Sequence, residues 1–187
     1  MNPVLKTIAE RSSIRAYKKE NIKEEELNAL LTAGLQAPTA RNMQEIHISV
    51  LHGSHPVLAE IEEERRRLAM NRTDEKGREV INNNPNNFYY GAPHVFMLSA
   101  DKDFYWGKLD AGICAENISL AAQSMGLGSL IIGIIREAME GEKKDYFARI
   151  CQFPENYEFV ICVAVGYRNT EKIPHGIDMK KSVSFIK

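Results

Sequence analysis

The sequence predicts one domain of the α+β class. Three features carry that expectation. Two long segments, "NIKEEELNALLTAGLQAP" from Asn21 and "DAGICAENISLAAQSMGLG" from Asp110, place apolar residues at helical spacing. Others, "IHISVLH", "APHVFMLSAD" and "YEFVICVAVGY", are short apolar runs of the kind that form strands. The strands, about four once "SLIIGI" is included, do not alternate with helices as regular βαβ units. With 187 residues, 44% of them hydrophobic, the chain can bury one substantial core.

In chain order, a short helical segment with Val4, Leu5 and Ile8 comes first. Asn21 is the candidate cap of the next helix, with Glu24 three residues later and apolar positions at 27, 30, 31 and 35; Pro38 ends it. Residues 46–52 alternate Ile46, Ile48 and Val50 with more polar neighbours before a turn at Gly53, as a strand with one buried face does. The stretch 54–87 is the most polar. Ser54 as cap, Pro56 in the first turn, and Leu58, Ile61 and Leu68 on one side predict a helix. Its "EIEEERRR" run reads as a solvated face with charge pairs four apart. "NNNPNN" (82–87) is expected to form a loop that can serve as a lid.

Residues 92–101 and 157–167 read as buried strands. Between them Ala111, Cys114, Ile118, Ala121 and Met125 make a stripe on a central helix, Ala-rich enough for neighbours to approach closely and stopped by Gly126. "SLIIGI" then returns to extended structure. The tail, 168–187, lacks the apolar periodicity for a core of its own, so its final "VSFI" is expected to pack elsewhere, with a second subunit as the candidate. The whole, 1–187, is expected to be a single domain carrying a polar helical and loop insert at 62–90.

Charge and cysteine usage narrow the function. Lys and Arg number 24 against 25 Asp and Glu, a net charge of -1, so no overall field draws the chain to nucleic acid or an anionic membrane. Cys114, Cys151 and Cys162 are widely spaced in apolar stretches, which suits buried thiols in a reducing compartment. The N-terminus has no signal-peptide pattern and no run is long enough to span a bilayer, so a cytoplasmic protein is expected.

Three segments can hold a ligand. "RSSIRAY" (11–17) has two guanidiniums four residues apart with two hydroxyls between them, a multidentate phosphate site or, the favoured reading of the segment on its own, a helix C-terminus with an exposed Arg11 and capping serines. "APTARNMQ" (37–44) gathers the amides of Asn42 and Gln44 with the backbone around Pro38 and Thr39; these either match the edge of a heteroaromatic ring or satisfy the turn itself. "GLGSLIIG" (126–133) follows a helix instead of preceding one, which excludes a Rossmann turn or a P-loop but allows close backbone approach to a flat ligand, or tight packing. His47, His52 and His55 straddle a strand and a turn and are not expected to bind metal. No GxSxG or HExxH pattern occurs, so hydrolases lack a site.

Taken in order, these segments resemble the nitroreductase-like family of flavin-dependent oxidoreductases over nearly the whole chain. "RSSIRAY" resembles its N-terminal phosphate-binding stretch and "APTARNMQ" its Ala-Pro-Ser/Thr loop with Asn and Gln. "GAPHVFMLSAD" is similar to its Gly-Ala-Pro strand, "DAGICAENISLAAQSMGLGSLIIG" to its long helix ending in Gly-Leu-Gly-Ser, and "VAVGY" closes the series. The resemblance implies a three-layer sandwich with a central, mainly antiparallel sheet flanked by helices. It further implies a homodimer whose two FMN sites lie at the interface and draw on both chains. Arg11, Ser12, Ser13 and Arg15 would then face the FMN phosphate and ribityl chain, Pro38, Thr39, Asn42 and Gln44 the flavin, and Leu130, Ile131, Ile132 and Gly133 the ring near its reactive nitrogen. Lys180 or Lys181 would supply a tail cation.

The implied activity is hydride transfer from NADH or NADPH through flavin N5 to a nitroaromatic, quinone or similar conjugated electrophile, in a ping-pong cycle with no catalytic side chain. Two alternatives stay open: a flavin-binding sensor or carrier without turnover, and a degenerate fold acting as an interaction protein. Two departures bear on them. Ser12 stands where the family has a second Arg, which removes a charge worth about 1 to 2 kcal/mol of FMN affinity. Glu45 and Ile46 replace the Pro-Trp that follows the Gln.

Overall fold

The computed structural model describes residues 1–71, 75–82 and 87–186. Its centre is a four-stranded antiparallel sheet in the order β1-β2-β4-β3. The strands are β1 (Ile46–His52), β2 (His94–Asp101), β3 (Leu127–Ile132) and β4 (Tyr157–Tyr167). Helices α2 (Glu24–Leu35) and α5 (Gly107–Ser124) cover one face, and α3 (Pro56–Met70), α6 (Arg136–Glu140) and α7 (Lys144–Ile150) cover the other. The short helices α1 (Pro3–Glu10), α4 (Glu75–Asn82) and α8 (Met179–Ser182) complete the described elements. The three-layer α+β sandwich follows from the alternation of side chains along the two central strands. Phe96, Leu98, Val163 and Val165 meet Ala111, Cys114 and Ile118 of α5. Val95, Met97, Cys162 and Ala164 face the opposite layer with Val57, Ile61 and Phe147. A bulge between Leu98 and Ser99 pairs Leu98 with Ile161 but Ser99 with Phe159, which keeps both faces filled.

Several local signals act differently from the sequence expectation. Asn21 does not cap α2; its side chain bonds His52, and α2 starts at Glu24, where Glu26 accepts from the Lys23 N–H at 2.9 Å. The cap of α3 is His55, whose Nδ1 accepts from Val57 N–H, while Ser54 bonds the other nitrogen of His52. Strand β2 begins at His94, after Pro93, and α5 begins a turn earlier than Asp110. Gly126, at φ +77, ends α5 as a left-handed residue should and lets β3 start at once.

The charged run of α3 is not a solvated face. Glu64 and Arg65 are only 1% and 6% exposed. Glu64 is held by Arg67 at 2.6 Å and Lys143 at 3.0 Å, and Arg65 reaches Glu137 at 3.2 Å. These partners lie on α3 itself and on the α6–α7 segment, so the run ties that layer together. The expected loop and lid at 82–87 fall at residues 83–86 outside the described residues. No helix among the described residues is long and apolar enough to cross a membrane.

Candidate functional site

Residues 11–17 run extended along the outer edge of β3. Ser13 bridges Ser129 in parallel, Ile14 N–H donates to the Ser129 carbonyl at 3.0 Å, and Tyr17 bridges Arg168. The buried Tyr17 hydroxyl reaches the carbonyls of Ile14 at 2.9 Å and Ala164 at 3.3 Å, and burial raises its pKa, so it stays a neutral donor. Ile14 seats against Gly128, where an added Cβ would lie 2.9 Å from Ile14 Cγ2. The glycine thus lets the segment approach β3, with Ile14 buried and Arg15 turned out to solvent.

Arg15 opens on a cleft of about 170 Å³ lined by Leu130, Ile131, Ile132, Gly133 and Ile134 on one side and by Phe88 and Tyr90 on the other. Gly133 is exposed, and a Cβ placed on it would meet no atom within 4 Å, so the backbone there is open to close approach. Lining residues from both segments are anchored to α3. Glu62 Oε2 accepts from Phe88 N–H at 3.3 Å, the Arg66 guanidinium lies 4.7 Å from the Phe88 ring centroid, and Arg65 Nε donates to the Ile134 carbonyl at 2.7 Å. Phe88, Tyr90 and Ile134 lie outside the residues the sequence nominates for the site, and no local signal singles them out.

The remaining residues of the first segment are engaged elsewhere. Arg11 pairs with Glu116 on α5 at 3.4 Å, and the buried Ser12 hydroxyl donates to the Lys172 carbonyl at 3.1 Å. The tail therefore meets this segment through the backbone of Lys172. Lys180 and Lys181 lie farther along, exposed on α8.

The loop 37–44 is a separate piece of construction. Arg41, Asn42 and Gln44 have φ of 57, 54 and 56, a left-handed conformation that side chains other than Asn and Asp resist. Four contacts hold it: Ala40 N–H to Asp110 Oδ2 at 2.9 Å, Gln44 N–H to Thr39 Oγ1 at 3.0 Å, Asn42 N–H to the Thr39 carbonyl at 3.0 Å, and Met43 N–H to the Ala40 carbonyl at 3.2 Å. Asp110, 3% exposed in the first turn of α5, is the fixed point. The result leaves Pro38, Asn42 and Gln44 exposed and Thr39 half-buried, with Gln44 Nε2 donating to Asn42 Oδ1 at 3.3 Å.

The two halves stand at opposite edges of the sheet. The loop leads into β1 and the Arg15 cleft lies on β3, three strand spacings away, or roughly 14 Å. Nothing reactive adjoins the cleft: among the described residues its lining has no Asp, Glu, His or Cys. Burial pushes the Cys114 and Cys151 thiols up to about 12 and about 11 and Cys162 higher still, so none is a thiolate nucleophile.

Residues 8–167 match the model of the Nitroreductase family. The chain belongs to that family. Among solved structures, a nitroreductase from Desulfitobacterium hafniense DCB-2 with bound FMN superimposes at a TM-score of 0.91 with 31% identity, covering 100% of both chains. A second nitroreductase with bound FMN, from Bacteroides fragilis NCTC 9343, gives 0.87 and 26% over 100% of both. The nitroreductase chain is also 26% identical over 181 residues to an FMN reductase (NADPH) of Bacillus subtilis strain 168, covering 89% of this chain and 66% of that one. The Arg15 cleft joins two of the three segments singled out in the sequence, 11–17 and 126–133, and the Asp110-held loop is the third.

Proposed function

We propose that the chain is an FMN-dependent NAD(P)H oxidoreductase, working as a homodimer, that reduces a nitroaromatic, a quinone or a similar conjugated electrophile in a ping-pong cycle. One observation carries this: the cleft on β3 joins an exposed guanidinium to an apolar slot with an open glycine at its end. That combination fits a flat ring with an anionic tail. FMN, when bound, supplies hydride transfer between the nicotinamide and the acceptor.

The chain's own residues bind, orient and shield. Arg15, with Arg11 and Ser13 beside it, would take the phosphate end; Arg11 would exchange its Glu116 pair for that stronger partner. Leu130, Ile131 and Ile132 would line the ring and exclude water, and Gly133 would let the backbone come close. The amides of Asn42 and Gln44 offer the donors and acceptors that a heteroaromatic edge requires. No carboxylate, imidazole or thiol lines the cleft among the described residues, so the protein's part is read as positioning and electrostatics.

Three observations support a homodimer. The loop and the cleft stand at opposite edges of the sheet, and two chains sharing each site would bring one chain's loop to the other's cleft. A cleft of about 170 Å³ is smaller than the roughly 300–1,000 Å³ of ordinary ligand sites, which leaves a wall for a partner to supply. Apolar side chains also stand exposed: Val4 and Leu5 on α1 at 66% and 53%, and Phe185 and Ile186 in the tail at 85% and 98%.

The test is steady-state kinetics of the FMN-loaded protein with NADH or NADPH and a quinone varied together. Parallel double-reciprocal lines are expected; intersecting lines would rule out the two-stage cycle, and absence of turnover with bound flavin would make the chain a carrier.

A further inference from the structure

Tyr90 is the one aromatic residue among the described non-glycine residues with positive φ; it sits at φ 56, followed by Gly91 at φ 71. A bulky side chain in this region is a genuine outlier, and such strain persists only where the surroundings impose it. The turn is built to do so: Tyr90 N–H donates to the Asn87 carbonyl at 3.1 Å, Gly91 N–H to Asn87 Oδ1 at 3.0 Å, and Ala92 N–H to the Tyr89 carbonyl at 3.1 Å. Glycine or asparagine would meet the same backbone demand at lower cost. The side chain that stands there lines the cleft opposite Leu130–Ile134, and the Arg15 guanidinium lies 5.9 Å from its ring centroid.

We propose that Tyr90 is a ligand-contacting residue whose ring closes the cleft against the flat conjugated part of the bound molecule. The inference rests on the flavin reading above and adds to it a residue from outside the three sequence segments. An aliphatic strand end and an aromatic ring line the same cleft, with a guanidinium beside the ring. Aromatic faces gain most from another flat π system, so Tyr90 should favour flat conjugated ligands over saturated ones of equal volume.

The experiment compares Tyr90→Gly, Tyr90→Asn and Tyr90→Phe with the wild-type protein for equilibrium binding of FMN and of riboflavin, which keeps the ring but lacks the phosphate, alongside thermal unfolding. The Gly and Asn variants relieve the backbone but lose the ring's packing against the core, effects of opposite sign, so both should melt close to the wild type. Both should bind FMN and riboflavin more weakly, by about tenfold or more and to a similar extent, while Phe stays within a few-fold of wild type. Unchanged affinities would overturn the proposal. So would a loss confined to FMN, which would place Tyr90's effect on Arg15 and the phosphate alone, or a fall in affinity that only tracks a fall in melting temperature in all three variants. A wild-type protein that binds neither flavin refutes the underlying flavin reading, an outcome visible before any variant is made.

Discussion

Asp110→Ala should release the loop that carries Thr39, Asn42 and Gln44. Its buried carboxylate accepts from Ala40 N–H at 2.9 Å, and a hydrogen bond to a charged group contributes about 1.5–3 kcal/mol. Against it stands the left-handed backbone of Arg41 and Gln44, costing about 1–2 kcal/mol each. Together the two residues come to about 2–4 kcal/mol, as large as the bond or larger, so loss of the carboxylate leaves the loop conformation populated at roughly a tenth to a hundredth. Apparent FMN affinity falls by the same factor, about 10- to 100-fold. Arg41 provides a direct readout, because trypsin cleaves after it only when the loop opens: limited digestion should cut the variant faster there than the wild type. Asp110→Asn, which keeps an acceptor oxygen, should fall between. An unchanged rate of cleavage at Arg41 together with unchanged FMN affinity would show that Asp110 does not hold the loop.

Gly128→Ala drives a methyl into Ile14 Cγ2 at 2.9 Å; overpacking of this kind costs about 1–3 kcal/mol, a drop of roughly 2–12 °C in Tm, with weaker FMN binding as the 11–17 segment lifts from β3. Arg15→Ala should weaken FMN about tenfold or more and leave riboflavin nearly unchanged, and the wild-type preference for FMN should shrink at high salt. The Arg67 hydrogen bond, with Lys143 behind it, holds Glu64 down to about 2 from 4.5 against the opposing effect of burial. A depressed carboxylate stabilises the fold above its unfolded value and loses that contribution as pH falls through about 2, so between pH 5 and pH 2 the wild type should lose more melting temperature than Glu64→Gln. Equal losses would show that the buried pair does not govern acid stability.

Residues whose partners are near in sequence were legible before any coordinates. The stripe Ala111–Cys114–Ile118, the alternation in β1 and the apolar run of β2 depend only on local sequence, and they give the central helix and two of the strands. Glu64 and Arg65 were misread as surface because charge reads as solvated until distant partners such as Lys143 and Glu137 are known. Asp110 carries no local signal beyond opening a helical segment; its role depends on Ala40, 70 residues away. Tyr90 was invisible for a similar reason, since φ 56 on an aromatic has no sequence signature and its neighbours Arg15 and Leu130–Gly133 come from two other segments. Strand order mattered most. Nothing local in "APTARNMQ" or "GLGSLIIG" says that β1 and β3 occupy opposite edges of one sheet, the separation that the proposed second chain would bridge.

The most direct measurement is anaerobic titration of the FMN-loaded protein with NADH and, separately, NADPH, followed by the visible flavin absorbance and then by addition of a nitroaromatic or quinone. Bleaching at one equivalent of either donor per bound flavin, with full recovery on adding the acceptor, is the expected result. A flavin that stays oxidised with both donors, or a protein that retains no flavin, would contradict the assignment of this cleft and loop to an NAD(P)H oxidoreductase.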